Sequence, residues 1–225
     1  MSLVIQEIMP FAIGIAISPM AIAAIILVLF SRKAQKNSLY FLVGWTLGLL
    51  LAIVTVLALF TAGFSMMGED AQSLNFGFIN TVFGLLLFVA AFFEWRNRTP
   101  KGEEPKIPKW MMAIDEITPG KTLGMAIFLS LLPKNLMLNI TSTTTIASSD
   151  ISAMQKLVAF LIFLLVANLI IAAVVLVYGI FGERAENTLS SWKAWMIRNN
   201  STVLIVLYLF YGFLLVVPQV MDYLL

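Results

Sequence analysis

Apolar residues run through this chain in six long stretches separated by short polar connections. They cover about Val4 to Phe30, Leu39 to Ala62, Phe76 to Phe93, Thr122 to Ala147, Met154 to Phe181 and Thr202 to Leu224. A spanning helix needs about 20 mostly apolar residues, so the pattern predicts six transmembrane helices. Prolines interrupt it at Pro10 and Pro19 in the first, Pro133 in the fourth and Pro218 near the end of the last.

The fourth stretch is apolar from Leu123 to Leu132 and then changes character. It continues Pro133-Lys134-Asn135-Leu136-Met137-Leu138-Asn139-Ile140-Thr141-Ser142-Thr143-Thr144-Thr145. A lysine at membrane depth is costly and normally faces a cavity or a partner, which marks function. The proline beside it frees backbone groups, which are tolerated at that depth only against protein or water. Lys134 lies about 12 residues from the inner start of its helix, roughly 18 Å at 1.5 Å per residue. Pro19 lies about 15 residues, roughly 22 Å, from the outer start of the first. Both breaks therefore fall near the middle of a core roughly 30 Å thick.

The two breaks suggest internal symmetry. Ile17-Ser18-Pro19-Met20-Ala21 corresponds to Leu131-Leu132-Pro133-Lys134-Asn135, about half the chain apart. Each half holds three helices, an odd number, so the halves must lie in opposite orientations. Inverted repeats with broken helices at corresponding positions point to a transporter with its site near the midplane. The expected fold is an all-α integral membrane protein of six transmembrane helices in two inverted three-helix repeats, with helices one and four broken. The first repeat is 1–93, the cytoplasmic connection 94–121 and the second repeat 122–225.

Composition sharpens the class. Of 225 residues, 60% are hydrophobic and 12% charged, with mean hydropathy +0.96. Soluble domains carry about 25% charged residues, so too few remain here to cover a soluble surface. The start, Met1-Ser2-Leu3-Val4-Ile5-Gln6-Glu7, lacks the basic region and cleavage site of a signal peptide, so the first stretch is expected to stay as a helix. Basic residues cluster on alternate connections. Arg32, Lys33 and Lys36 follow helix one; Arg96, Arg98, Lys101, Lys106, Lys109 and Lys121 follow helix three; Arg184, Lys193 and Arg198 follow helix five. Those twelve oppose Lys156 alone on the other face, which places the connections in the cytoplasm and both termini outside. Within the central connection, Thr99 to Pro105 reads as a linker and Ile107 to Ile117 as an interfacial helix.

The chain has no cysteine and no histidine, which removes thiol nucleophiles, thiolate metal sites, and histidine bases and ligands. No acid falls deep in a span, which weakens bare divalent cations as cargo and carboxylate proton relays. A lone lysine instead suits a phosphate, sulfate or carboxylate, unless it snorkels to the interface. Asn135, Asn139 and Thr143 recur every four residues and share a helix face. Lys134, Leu138, Thr141 and Thr145 lie on the adjacent one. The two faces read either as a track for a polar head group or as helix-to-helix hydrogen bonding. At Ser18 and Pro19 a half-helix N-terminus would offer N–H groups to an anion, or the proline makes an ordinary kink. Gly14, Gly44, Gly48 and Gly84 fit close helix packing, and Asn80, Thr81 and Asn168 fit helix-to-helix bonding.

Gly14 to Trp45, with Ile17-Ser18-Pro19, Leu29-Phe30-Ser31-Arg32-Lys33-Ala34, Asn37-Ser38 and Phe41-Leu42-Val43-Gly44-Trp45, resembles the first repeat of the GAP family of glycolipid- and sulfolipid-addressing, Sap-like proteins. Leu132-Pro133-Lys134-Asn135-Leu136-Met137-Leu138 resembles the Pro-Lys-Asn signature opening that family's second repeat. The family is similar to the wider lysine-exporter (LysE) superfamily, whose fourth helix carries an Asn-Pro-Lys type motif; Leu132 stands here in place of its leading Asn. The resemblance implies two inverted three-helix repeats that move glycolipids or their precursors across the inner membrane. It also implies a site built on Ser18, Pro19, Pro133, Lys134 and Asn135.

The expectation is a transporter or flippase exporting an anionic, lipid-linked or amphipathic substrate, with Ser18, Pro19, Pro133, Lys134, Asn135, Asn139 and Thr143 as substrate-binding residues. Two alternatives stand beside it. One is a proton-driven exporter of amino acids or small solutes, with Glu7 as the proton carrier. The other is a non-transporting membrane scaffold for a lipid synthesis or export system. An enzyme is not expected, and neither a cofactor, a metal nor a nucleic acid partner. The expected partners are the anionic lipid or small-molecule substrate and the surrounding membrane lipids, with a homodimer as one open arrangement.

Overall fold

The computed structural model describes residues 1–66, 72–98 and 117–224. Over them the chain forms eight α-helices. These are α1 (Ser2–Ala16), α2 (Pro19–Leu29), α3 (Ala34–Met66), α4 (Gln72–Asn97), α5 (Pro119–Ser130), α6 (Pro133–Ser148), α7 (Ala153–Phe181) and α8 (Glu186–Leu224). A short 3₁₀ turn, Gly182–Ala185, joins the last two. Most of the linker and interfacial helix expected between 99 and 117 lies outside the described residues.

Both expected breaks are present. Ser18 is extended (φ −105°, ψ 101°) and Pro19 opens α2. Leu132 is likewise extended (φ −56°, ψ 148°) before Pro133 opens α6. The residue before a proline is pushed out of the helical region, while the proline fits the first helical position, where no N–H is needed. The result is a bend of 48° between α1 and α2 and of 66° between α5 and α6. Pro10 and Pro218 do not interrupt, contrary to the sequence expectation. Both sit inside continuous helices.

Three helical segments are long and apolar enough to cross a membrane: Ala34–Ala62, Ala153–Phe181 and Ile197–Pro218. Counting each bent pair as one span gives up to five. The last helix begins sixteen residues earlier than the apolar stretch from Thr202 predicts. Its extra turns carry exposed Trp192 and Trp195 among polar residues, a mixture that masks a helix from a search for uniform hydropathy. α7 shows what the outer surface is made of. Leu157, Leu161, Leu165, Leu169, Leu176 and Ile180 are all exposed, a stripe at helical spacing that belongs against lipid tails.

The interior is built around α2. Ala21, Ile22, Ala23, Ala24, Ile25, Ile26 and Val28 are all buried, so this helix is covered on every side, as a helix that is apolar all round must be. α3 packs on α5, α4 on α8, α1 on both α6 and α7, and α2 on α8. Small residues set the close approaches. A Cβ on Gly44 would lie 2.5 Å from the Leu123 carbonyl oxygen, one on Gly48 would meet the Ser130 hydroxyl, and one on Gly84 would lie 2.9 Å from the Gly212 carbonyl oxygen. Polar bonds add to this: the Thr46 hydroxyl donates to Asn168 Oδ1 at 2.8 Å, and Trp45 Nε1 donates to the Ala167 carbonyl at 3.4 Å, both from α3 to α7.

Because backbone opposes Gly44, Gly44→Leu should destabilise the bundle by at least the 1–3 kcal/mol, roughly, of overpacked sites. Gly124→Leu on α5, which faces open space, should stay within about 0.5 kcal/mol of wild type. Thermal unfolding in detergent, followed by circular dichroism, compares the two.

Candidate functional site

A helix interrupted at Ser18-Pro19 leaves the carbonyls of its last turn without intrahelical donors, and these orphans sit in the middle of the bundle. Lys134, in the first turn of α6, supplies the donors. Its Nζ donates to the Gly14 carbonyl at 2.6 Å and to the Ile17 carbonyl at 3.3 Å. The negative end of the α1 dipole lies there too, and a cation at a helix C-terminus is stabilised. The side chain is only 4% exposed, so it does not snorkel to the interface, and among the described residues it meets no carboxylate. It is the one buried charged side chain among the described residues. An ammonium has three protons. Two find carbonyls, and the third has no acceptor among the described residues.

The second break is joined to the first through Asn135. Its Nδ2 donates to the Leu129 carbonyl at 3.0 Å, at the end of α5, and to the Ser18 hydroxyl at 3.4 Å. One amide thus touches the frayed end of its own broken helix and the entry to α2. Its Oδ1 is buried without a partner. Ser18, Lys134 and Asn135 therefore come together as a cluster, with Pro19 buried beside them. Pro133 opens α6 and is itself exposed, so its part is in the backbone break.

Further along α6, Asn139 Nδ2 donates to the Leu49 carbonyl on α3 at 3.3 Å, and the Thr143 hydroxyl donates to Asn139 Oδ1 at 3.2 Å. Asn135, Asn139, Ser142 and Thr143 are completely buried, and Thr141 nearly so. The hydroxyls divide into two groups. Thr144 and Thr145 bond back to helix carbonyls at 140 and 141, which is ordinary behaviour for these residues in a helix. Thr141 and Ser142 have buried hydroxyl oxygens with no partner. Buried polar atoms are nearly always satisfied, so these two, with Asn135 Oδ1, mark a place where hydrogen-bonding capacity is held in reserve.

Sequence reasoning named the side chains and missed their partners. The Gly14, Ile17, Leu49 and Leu129 carbonyls carry no residue-type signal, although the prolines at 19 and 133 do announce free carbonyls just upstream. Among the other polar residues, Asn168 serves as the helix-to-helix bond expected of it, whereas Asn80 lines a pocket on the bundle surface.

Residues 8–218 match the family model described as Sap, sulfolipid-1-addressing protein. The chain belongs to this family. The match covers both breaks and the whole of α6. No curated protein and no solved structure matches the chain.

Asn139→Leu should remove the bond between α6 and the Leu49 carbonyl on α3 and leave the buried Thr143 hydroxyl without its acceptor. We expect a loss of about 1–3 kcal/mol in unfolding free energy, the usual cost of abandoned buried partners. Denaturant titration in detergent micelles measures it.

Proposed function

We propose that this protein is a transporter or flippase that exports an anionic, lipid-linked or amphipathic substrate across the cytoplasmic membrane. Membership of a sulfolipid-addressing family and the apolar helices fit a membrane protein involved in lipid export. The observation that carries the finer reading is the buried ammonium of Lys134. It is held by neutral carbonyls alone, with one proton uncommitted, and its helix also carries the unsatisfied Asn135 Oδ1 and, about two turns further on, the unsatisfied Thr141 and Ser142 hydroxyls. A buried cation without a counter-ion is a receptive place for an anion, since the pairing it lacks is strong at low dielectric.

In this reading the chain crosses the membrane six times, with both termini outside and two inverted repeats of three helices. The packing supports the repeat, since the contacts between helices have counterparts when the halves are exchanged. α3 lies on α5 as α7 lies on α1; α2 lies on α8 as α4 lies on α6; α2 meets α3 as α6 meets α7. The substrate anion competes with the Gly14 and Ile17 carbonyls for the ammonium. Pairing would draw Lys134 off the end of α1 and loosen the joint between the repeats. A ligand shifts such an equilibrium only through its differential affinity for the two states, and Lys134 supplies one, since its ammonium is occupied in one state and free in the other. Asn139 and the hydroxyls of α6 then offer polar contacts along the path.

Native mass spectrometry of protein exposed to a membrane lipid extract tests this. Wild type should carry a phosphate- or sulfate-bearing lipid that Lys134→Gln loses by tenfold or more, while Lys134→Arg keeps part of it. Equal retention by wild type and Lys134→Gln contradicts the role of Lys134.

A further inference from the structure

The two ends of the bundle are built from matching parts. At one end the turn between α2 and α3 meets the entry to α5. At the other the turn between α6 and α7 meets the start of α1. Exchanging the halves carries one set onto the other. The serine that follows each half-helix behaves alike: the Ser31 hydroxyl donates to the Val28 carbonyl and the Ser149 hydroxyl to the Ile146 carbonyl, both at 2.7 Å. Six residues beyond each serine stands a carboxamide, Asn37 in one half and Gln155 in the other.

The two carboxamides are used differently. Asn37 is completely buried. Its Nδ2 donates to Ser31 Oγ at 2.9 Å and to the Ile117 carbonyl at 3.0 Å. One amide thus ties the end of α2 and the start of α3 to the entry of α5, and this end is shut. Gln155 is exposed and turns back on its own helix. Its Oε1 accepts from the Ser152 N–H at 3.0 Å, and its N–H donates to Ser152 Oγ at 3.4 Å.

Where the counterpart bridge from Gln155 to α1 would run, a pocket of about 540 Å³ opens instead. Val4 and Glu7 line one side, Thr145, Ser149 and Asp150 another, and Asn80 of α4 completes it. The lining mixes two carboxylates with donors, the Asn80 amide and the α-amino group of Met1. Such a mixture suits water and passing polar groups better than one fitted ligand. Thr145 is one turn along α6 from Thr141, whose buried hydroxyl lacks a partner. The pocket therefore stops about a turn short of the central polar residues.

The bridge at Asn37 also carries a cost. Both amide protons are used, but Oδ1 is buried without a partner. A buried unsatisfied acceptor opposes the closed form, and parting the turn from α5 would let water reach it. The joint is thus poised between two arrangements, unlike the glycine contacts, which packing alone holds.

We infer that the two turns are alternating gates. Asn37 latches shut the end that carries Arg32 and Lys33, the pocket is the open mouth of the opposite end, and Gln155 latches that mouth when the Asn37 gate parts. The inference rests on the transport reading and adds the residues that seal its two sides.

The chain has no cysteine, so single reporters can be introduced into the full chain in nanodiscs. Thr145→Cys lines the pocket. Ala24→Cys is completely buried on α2, the helix that runs from the central break to the Asn37 latch. The reaction rate of each with a small cationic methanethiosulfonate is measured. Without further change, the thiol at 145 should react at least tenfold faster than that at 24. Asn37→Ala should raise the rate at 24 at least tenfold and lower the rate at 145 several-fold. Adding Gln155→Ala to Asn37→Ala should restore the rate at 145, which a merely loosened fold would not do. If Asn37→Ala fails to fold, Asn37→Asp takes its place, since it removes the donor and keeps the shape. Rates that stay unchanged, rise together or change at 24 alone overturn the inference. The reporters need no substrate. Opposed rate changes alongside lipid binding indifferent to Lys134→Gln keep the gates and reject the anion site, whereas Lys134-dependent binding with no opposed changes rejects the gates alone.

Discussion

Everything at the centre of this protein depends on one ammonium meeting the open end of one helix. Proline at position 19 ends α1 in the middle of the bundle and strands its last carbonyls. No water-facing surface is at hand to satisfy them, and an unsatisfied carbonyl in an apolar interior is expensive. Lys134 reaches from the other half of the chain, 120 residues away, and closes the end of α1 at Gly14. The two expensive features, a broken helix and a buried charge, offset one another. Neither is tolerable alone, which is why the joint also ties the halves together.

The same economy governs α6. Its polar residues are more numerous than those of any other buried helix, yet it sits among the most apolar elements. Asn135 and Asn139 spend their amides on carbonyls of α5 and α3, so the helix is anchored through its polar face. The orphaned oxygens of Asn135, Thr141 and Ser142 break this rule. Local departures from full satisfaction are what a functional site looks like. Stability is given up there, and the surrounding close contacts at Gly44, Gly48 and Gly84 hold the frame that makes it possible.

Much of this was legible in the sequence. The two breaks follow from Pro19 and Pro133, because the residue before a proline leaves the helical region whatever surrounds it. The stripe of Asn135, Asn139 and Thr143 follows from spacing alone, and the packing glycines from the need for close approach. The partner of Lys134 was not legible. Side-chain reasoning asks for a carboxylate or an anion, while the groups that meet the ammonium are carbonyls, identical at every position and distinguished only by where a helix stops. Pro10 misled for the complementary reason. Within α1 the continuing helix and the Tyr211 hydroxyl, which donates to the Pro10 carbonyl at 2.7 Å, hold the chain helical through it. The pocket bounded by Glu7, Asn80 and Asp150 was also invisible, since its walls come from three distant parts of the chain.

The central claim is that Lys134 holds α1 to the second half of the chain. The chain has no cysteine, so spin labels can be placed at will. Labels at exposed Ile13 on α1 and Phe128 on α5 report the distance across the joint by double electron–electron resonance in nanodiscs. With Lys134 present, a single narrow distribution is expected. With Lys134→Gln it should broaden or shift to a second distance, as α1 loses its cap. Superimposable distributions for the two proteins would contradict the account, leaving the joint to be held by packing alone.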